Sequence, residues 1–177
     1  SYRWWDVLLS HPARILFASF FFLCMLGTVL LLLPASANRH ISFIDAVFTS
    51  VSAVCVTGLI VLDTPNDFTV FGQFIILLLI QLGGLGIMSI TTIAMQSFGR
   101  RLSLKHETVL ASMTDTDHQT LISSLTLILK YTFIAEAIGF ILLTTMFVYT
   151  GDIFTDAIWR GLFTAVSAFC NAGFALQ

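Results

Sequence analysis

The sequence predicts an all-α membrane protein in which a unit of one spanning helix, one short re-entrant helix and a second spanning helix is repeated. One observation behind this prediction is composition: 57% of the 177 residues are hydrophobic and 10% are charged, whereas roughly a quarter of the residues of a soluble domain carry a charge. The other is an internal repeat. Residues 48–59 align without a gap on residues 163–174, with identity at seven of the twelve positions. A repeat at this separation is a signal at the level of the fold.

Charge and cysteine content narrow the class further. The net charge of −2 does not favour nucleic acid as a partner. The chain has three cysteines, an odd number, and all lie within apolar runs. This pattern does not indicate a disulfide framework. We expect small buried residues, in preference to a metal site or a redox pair, at Cys24, Cys55 and Cys170. No signal peptide is predicted, because the first apolar run is followed by Leu33 and Pro34 and not by the small residues of a cleavage site.

The first span is predicted at residues 15–33. As a helix this apolar run covers about 28 Å, close to the roughly 30 Å of a bilayer core, and Pro34 ends it. The segment before it is amphipathic and suits the membrane interface, where aromatic and basic residues act as anchors. These anchors are Tyr2, Arg3, Trp4, Trp5 and Arg14.

A short helix is predicted at residues 42–54, and it reaches only about 20 Å, too little to cross a bilayer. Ser42 can cap its first turn, with Asp45 as the partner that also complements the positive end of the helix dipole. We interpret it as a re-entrant pore helix followed by a filter loop at residues 55–59. Non-helical backbone at membrane depth needs protein or a water-filled path to satisfy it. A solvated turn is expected at residues 59–67.

The second span is predicted at residues 68–98. It would reach about 46 Å, so it must tilt or project from the bilayer. Its middle, residues 81–87, contains three glycines. Because glycines let another backbone approach closely, we expect close helix packing here, with a hinge as the alternative. Gln81 either bonds within the bundle or faces a water path.

The most polar stretch of the chain, residues 99–119, is predicted to be a cytoplasmic loop. A plain solvated connector is the simpler interpretation, and a docking surface for a soluble partner is the alternative. Its ionisable residues are Arg100, Arg101, Lys105, His106, Glu107, Asp115, Asp117 and His118.

The third span is predicted at residues 121–149. Glu136 lies deep within it, where a carboxylate is costly and marks a functional residue by default. Lys130 lies nearer the cytoplasmic end and can snorkel; the two are about 240° apart around the helix and do not pair along one face. We expect Glu136 to make a structural contact inside the bundle, with an ion ligand as the alternative. Ala135 and Gly139 form a small-residue pair that favours close packing.

The second copy of the repeat follows a short turn. A pore helix is predicted at residues 156–169 and a second filter at residues 170–174. The first repeat, with the cytoplasmic loop, is assigned to residues 1–120, and the second, truncated after its filter, to residues 121–177. We therefore expect the chain to be the amino-terminal part of a longer protein.

Basic residues lie mainly on one side of this topology, which marks the cytoplasm. The inner set is Arg3, Arg14, Arg100, Arg101, Lys105 and Lys130, and the outer set is Arg39 and Arg160. The amino terminus is therefore predicted to lie inside, with both filter loops open to the outside. Acidic residues at that outer mouth would concentrate cations. They are Asp45, Asp63, Asp67, Asp152 and Asp156.

The arrangement resembles the Trk/Ktr/HKT potassium transporter superfamily, and most closely its KtrB-type membrane subunits. The matching residues are 49–59, 81–86 and 163–174, in the expected order, and the resemblance covers almost the whole chain. It implies potassium-channel-like transmembrane–pore helix–transmembrane repeats with re-entrant filter loops. Four such repeats surround one pore in that family, and the activity implied is potassium uptake across the plasma membrane.

The resemblance also implies filter glycines and partners. Gly58 and Gly173 correspond to the filter glycines, and Gly58 favours potassium because members with serine at the first filter position tend toward sodium. Partners implied are the bilayer of the bacterial inner membrane, a second membrane subunit in a homodimer, and a cytosolic ring of KtrA-type nucleotide-binding subunits. The ions implied are K⁺ as the transported ion and Na⁺ for coupling or activation.

A dehydrated cation needs oxygen ligands in place of its water, and rings of backbone carbonyls supply them in known filters. A glycine lets each loop adopt a conformation that other residues resist, and the carboxyl ends of the pore helices add partial negative charge. The Thr57 hydroxyl either contributes or bonds locally. The predicted filter residues are Cys55, Val56, Thr57, Gly58, Cys170, Asn171, Ala172 and Gly173.

Other functions stay open at this point. One is sodium or non-selective monovalent cation transport by the same fold, and another is a carrier for a small neutral solute or a purely structural repeat protein. An enzyme within the membrane has the least support, because the spans contain no paired carboxylates, histidine-rich metal spacing or activated serine–histidine set. The glycine-terminated half-helix in each repeat is the feature that separates ion transport from these alternatives.

Overall fold

The computed structural model describes the backbone of residues 12–101 and 114–176, and the side chains of residues 17–89 and 125–176. Within these ranges the chain is helical and contains no strand beyond one isolated bridge. The all-α prediction is confirmed for this part of the chain. The helices are α1 (Pro12–Leu31), α2 (Phe43–Val54), α3 (Thr64–Asp67), α4 (Val70–Arg101), α5 (Thr114–Tyr149) and α6 (Phe154–Phe169).

Two of the long helices contain stretches long and apolar enough to cross a membrane. They are Val70–Ser89 in α4 and Leu125–Tyr149 in α5, and they fall inside the second and third predicted spans. The 20 residues of α1 cover about 30 Å, and the helix contains most of the first predicted span.

The helices on either side of the predicted cytoplasmic loop extend further than expected. Helix α4 continues to Arg101 and α5 begins at Thr114, so both ends of the stretch 99–119 are helical. Polar residues leave the backbone hydrogen bonds of a helix intact, and Asp115 and Asp117 favour its first turn. The remainder of the loop and the interfacial side chains before α1 lie outside the described residues, and the assignment to two repeats stays a prediction.

The described residues cluster into two compact units, one within Ser1–Gly84 and Val166–Gln177, the other within Leu85–Ala165. In the first unit, α1 packs against α2. The buried Ser50 hydroxyl donates to the Cys24 carbonyl at 2.8 Å. Gly27 makes this approach possible, since a Cβ at that position would lie 2.6 Å from a Leu79 methyl group and would collide with Ser50 Oγ. Helices α1, α2 and α4 therefore meet closely at Gly27.

The link after α1 is tied to the segment before α4. Ala37 and Phe68 form an antiparallel bridge, and the Thr69 amide donates to the Ser36 carbonyl at 3.1 Å. The predicted solvated turn at residues 59–67 is wrong at its end, because α3 forms there and Asp67 is only 7% exposed. Its burial is made possible by the hydrogen bonds that its carboxylate accepts from Arg39.

In the second unit, the predicted contrast along α5 is present. Glu136 is 7% exposed while Lys130 is exposed, as expected for a carboxylate inside a bundle. Gly139 packs on α6, since a Cβ built there would lie 3.5 Å from the Ala165 Cβ. Ala135 is exposed, so the predicted small-residue pair makes close contact through Gly139 and not through both members.

Candidate functional site

The start of α2 carries the cap predicted for it. The Ser42 hydroxyl oxygen accepts a hydrogen bond from the Asp45 amide at 3.2 Å. The Asp45 carboxylate accepts from the Ser42 hydroxyl at 2.7 Å, instead of from the backbone N–H that a capping box uses. The cap fixes where the first short helix begins.

The end of α2 is a left-handed turn at Val56. The Thr57 amide donates to the Ser52 carbonyl at 3.0 Å, and the Val56 amide donates to the Ala53 carbonyl at 3.2 Å. This is the Schellman pattern, in which the left-handed residue is usually glycine and sometimes asparagine. Val56 occupies it with φ +56°, an outlier for a β-branched residue. Surrounding structure must hold such a residue, at a cost of about 1–3 kcal/mol.

The end of α6 forms the same turn with equivalent hydrogen bonds. The Ala172 amide donates to the Ser167 carbonyl at 2.7 Å, and the Asn171 amide donates to the Ala168 carbonyl at 3.0 Å. Asn171 has φ +59°, a conformation that asparagine tolerates. Valine in one copy and asparagine in the other adopt the same backbone, so the turn belongs to the repeat and not to either side chain. Sequence reasoning missed it, since it expected unusual backbone only at glycine.

The two predicted filter glycines lie against each other. Gly58 has φ +69° and Gly173 has φ +74°, a conformation that glycine adopts without strain. A Cβ built on Gly58 would collide with the Ala172 carbonyl oxygen and lie 3.0 Å from the Gly173 Cα. A Cβ built on Gly173 would lie 3.3 Å from the Gly58 Cα. The structure therefore brings together two loops that are 115 residues apart in the chain.

Four carbonyl oxygens in the two loops have no hydrogen-bond donor within the part of the chain that the structure describes. Those of Val56, Thr57, Asn171 and Ala172 accept no hydrogen bond from any residue that the structure describes. Thr57 and Asn171 are exposed and Val56 is half-buried, so water can satisfy carbonyls at these residues. Unbonded carbonyls beside a helix carboxyl end can instead coordinate a cation.

Among the other side chains at the loops, Cys170 is placed as predicted and Cys55 is not. The Thr57 hydroxyl donates to Ser52 Oγ at 3.2 Å and to the Ser52 carbonyl at 3.4 Å, which favours the local alternative for this side chain. Cys170 is buried as expected, but the expectation was wrong for Cys55, which is exposed. The Cys170 thiol lies 3.8 Å from Gln81 Oε1, so Gln81 makes a contact within the bundle.

The glycine-rich part of α4 packs against both loops. A Cβ on Gly83 would collide with the carbonyl oxygen of Val54, the last residue of α2. A Cβ on Gly84 would lie 2.7 Å from the Cys170 sulfur. The prediction of close packing at these glycines is confirmed. The sequence does not say which elements approach, because that depends on contacts far apart in the chain.

Two serines that the sequence did not mark as functional each form a hydrogen bond across one of the loops. The Ser52 hydroxyl donates to the Leu59 carbonyl at 2.7 Å, and the Ser167 hydroxyl donates to the Phe174 carbonyl at 2.6 Å. The available signal was their place among the seven identical positions of the repeat.

Some of the acidic residues predicted to attract cations are already neutralised. Arg39 forms an ion pair with Asp67 at 2.7 Å, and Arg160 forms one with Asp152. Arg160 also lies over the Phe147 ring, 4.6 Å from its centroid. The uncompensated negative charge at the predicted mouth is therefore smaller than the five aspartates suggest.

Comparison with known proteins adds an independent line of information. Residues 6–177 match the TrkH family, described as cation transport protein. The chain is 37% identical over 169 residues to the Ktr system potassium uptake protein B of Bacillus subtilis, which covers 93% of this chain and 37% of that protein. It is 37% identical over 168 residues to the potassium/sodium uptake protein NtpJ of Enterococcus hirae, covering 93% and 37%.

A third relative is the Ktr system potassium uptake protein B of Vibrio alginolyticus, 38% identical over 164 residues, covering 92% of this chain and 36% of that protein. The chain thus spans a little over a third of the length of these relatives.

Proposed function

The chain belongs to the TrkH family of cation transport proteins, which are ion transporters and not enzymes, and from this premise we propose that it forms part of the ion-translocating subunit of a Ktr/Trk-type potassium uptake system. The observation that carries the proposal is the meeting of two glycine-terminated loops at Gly58 and Gly173. Each loop follows a half-length helix and holds carbonyl oxygens without a donor among the described residues.

In this proposal the two short helices α2 and α6 enter the membrane from outside and do not cross it. Their carboxyl ends point partial negative charge at the loops, worth roughly half an elementary charge each. The carbonyls of the loops replace part of the hydration shell of the ion. The residues proposed to supply them are Cys55, Val56, Thr57, Cys170, Asn171 and Ala172.

Potassium is the proposed ion, and sodium or non-selective cation transport is the alternative. Two of the relatives are named for potassium uptake and one for potassium and sodium uptake. Gly58 supports potassium because its φ of +69° and its contact with Ala172 leave no room for a side chain that would narrow the path.

The proposed setting is a multi-pass protein of the plasma membrane with its amino terminus in the cytoplasm. The apolar stretches of α4 and α5 support membrane insertion. A second membrane subunit and a cytosolic ring of nucleotide-binding regulators are the proposed partners, and Na⁺ is a proposed coupling or activating ion. Membership of the family supports these proposed partners and this proposed ion.

The test is uptake of K⁺ and Na⁺ by the full-length protein in cells that lack their own potassium uptake. We expect Gly58→Ser to lower the ratio of K⁺ to Na⁺ uptake by about tenfold, which corresponds to about 1.4 kcal/mol. Gly151→Ser is the matched control, because Gly151 also has positive φ, at +106°, but nothing lies within 4 Å of its built Cβ. An equal ratio in the wild type and in Gly58→Ser would contradict the proposal.

A further inference from the structure

We propose that Ser52 and Ser167 are positioning residues that set ion selectivity by holding the two loops closed behind their glycines. This inference rests on the proposed function, since it concerns the same loops. Each hydroxyl donates to the carbonyl of the residue directly after the glycine, Leu59 at 2.7 Å and Phe174 at 2.6 Å.

Each serine holds its loop at two points. Its backbone carbonyl accepts from the residue before the glycine, Thr57 at 3.0 Å in the first loop and Ala172 at 2.7 Å in the second. Its hydroxyl reaches the residue after the glycine. The hydroxyl bond closes a ring of backbone that runs from the serine to the residue after the glycine. The glycine and all the carbonyls proposed to face the ion lie within this ring. Because selectivity depends on where such carbonyls sit and how far they can move, the serine controls the relevant geometry without touching the ion.

The direction of these hydroxyls is unusual for a helix. A serine or threonine inside a helix commonly bonds back to the carbonyl four residues earlier, and Thr28 does so, donating to Cys24 at 2.8 Å. Ser52 and Ser167 reach forward out of the helix instead. Both serines are buried, and so is Phe174, whereas Leu59 is exposed. Water therefore cannot readily replace the bond lost at the Phe174 carbonyl, where an unpaired buried acceptor is costly.

The two loops differ in how much they depend on the serine. In the first loop the Thr57 hydroxyl lies 3.2 Å from Ser52 Oγ and offers a second donor beside it. In the second loop the equivalent residue is Ala172, which has no hydroxyl. Loss of Ser167 should therefore affect selectivity more than loss of Ser52.

The experiment compares Ser52→Ala and Ser167→Ala in the full-length protein, with uptake of K⁺ and Na⁺ normalised to the amount of protein in the membrane. We expect the K⁺ to Na⁺ ratio to fall by about fivefold in Ser167→Ala, the factor for one hydrogen bond of about 1 kcal/mol, and by less in Ser52→Ala. Ser50→Ala is the matched control, since Ser50 is a buried serine on the same helix whose hydroxyl bonds to α1. Its ratio should equal that of the wild type.

If an alanine variant does not accumulate in the membrane, conservative substitutions of Ser167 test the inference instead. Ser167→Thr keeps the hydroxyl and should keep the ratio, whereas Ser167→Cys offers only a weak donor and should lower it. An unchanged ratio in the alanine variants, or in Ser167→Cys where alanine fails, would overturn the inference. It would leave the proposed function intact if Gly58→Ser still loses selectivity, whereas a wild-type protein that takes up no K⁺ would overturn the proposed function itself.

Discussion

Gly83 of α4 lies directly against the carbonyl oxygen of Val54, the last residue of α2. The next residue, Gly84, lies against the sulfur of Cys170 at the end of α6. Two adjacent residues of one long helix therefore touch the ends of both short helices. These two contacts set where the loops lie along α4 and how far apart they are. Only residues without a side chain permit such close contacts.

Gly83→Ala should be more damaging than Gly84→Ala. At Gly83 the new methyl group meets backbone, which cannot rotate away, whereas at Gly84 it meets a thiol 2.7 Å away on a side chain that can turn. Overpacking of this kind costs about 1–3 kcal/mol, and we expect the upper end for Gly83→Ala. Thermal unfolding of the purified protein in detergent, with the exposed Leu82→Ala as control, measures the difference. Equal losses at both glycines would contradict the assigned contacts.

Gly58→Ala should cost more than Gly173→Ala, although the two glycines occupy equivalent places in the repeat. Both carry the strain of positive φ, at +69° and +74°. A methyl group on Gly58 also collides with the Ala172 carbonyl oxygen, whereas one on Gly173 approaches the Gly58 Cα at 3.3 Å. We expect the midpoint of thermal unfolding to fall further in Gly58→Ala, and the reverse order would show that the loops meet differently.

Exchanging residues between the two left-handed turns should change stability in opposite directions. Val56→Asn places in the first turn the residue that the second turn uses, and it should stabilise the protein by about 1 kcal/mol, because asparagine tolerates the left-handed conformation and valine does not. Asn171→Val should destabilise it by a similar amount. Chemical denaturation of the two variants measures both changes. A loss of stability in Val56→Asn would mean that packing of the valine side chain outweighs its backbone strain.

Local sequence patterns predict both ends of α2 and the end of α6, but α6 begins at Phe154, two residues before its predicted start. They do not predict the details of the loops. Ser42 and Asp45 predict the start of α2, and the positive φ of Gly58 is one that glycine readily adopts. The left-handed Val56 and the exposed Cys55 go against the preferences of these residues. The left-handed turn is held by hydrogen bonds to the last turn of α2, and it recurs at Asn171. It is therefore a property of the helix end that the residue type at Val56 does not reveal.

The buried carboxylate of Asp67 should be worth more to stability than the charge of its partner. Arg39 donates to both carboxylate oxygens at 2.7 Å, and the Asp63 amide donates to the same group at 2.8 Å. The Asp67 side chain is 10% exposed and that of Arg39 is 61% exposed. Asp67→Ala therefore leaves the part-buried Asp63 amide and the Arg39 guanidinium without their acceptor and should cost about 2–3 kcal/mol, whereas Arg39→Gln keeps a donor and should cost about 1 kcal/mol or less.

Asp63→Asn is the matched control for this pair, because Asp63 is exposed and, among the described residues, its carboxylate accepts only from the Asn66 side chain. Its midpoint of thermal unfolding should stay close to that of the wild type. Raising the salt concentration should reduce the effect of Arg39→Gln, since an exposed charge is screened. It should leave the part of the effect of Asp67→Ala that comes from the lost hydrogen bond to the Asp63 amide. If both effects vanished together at high salt, the Asp67 carboxylate would act through its charge alone and the argument from its hydrogen bond to the Asp63 amide would be wrong.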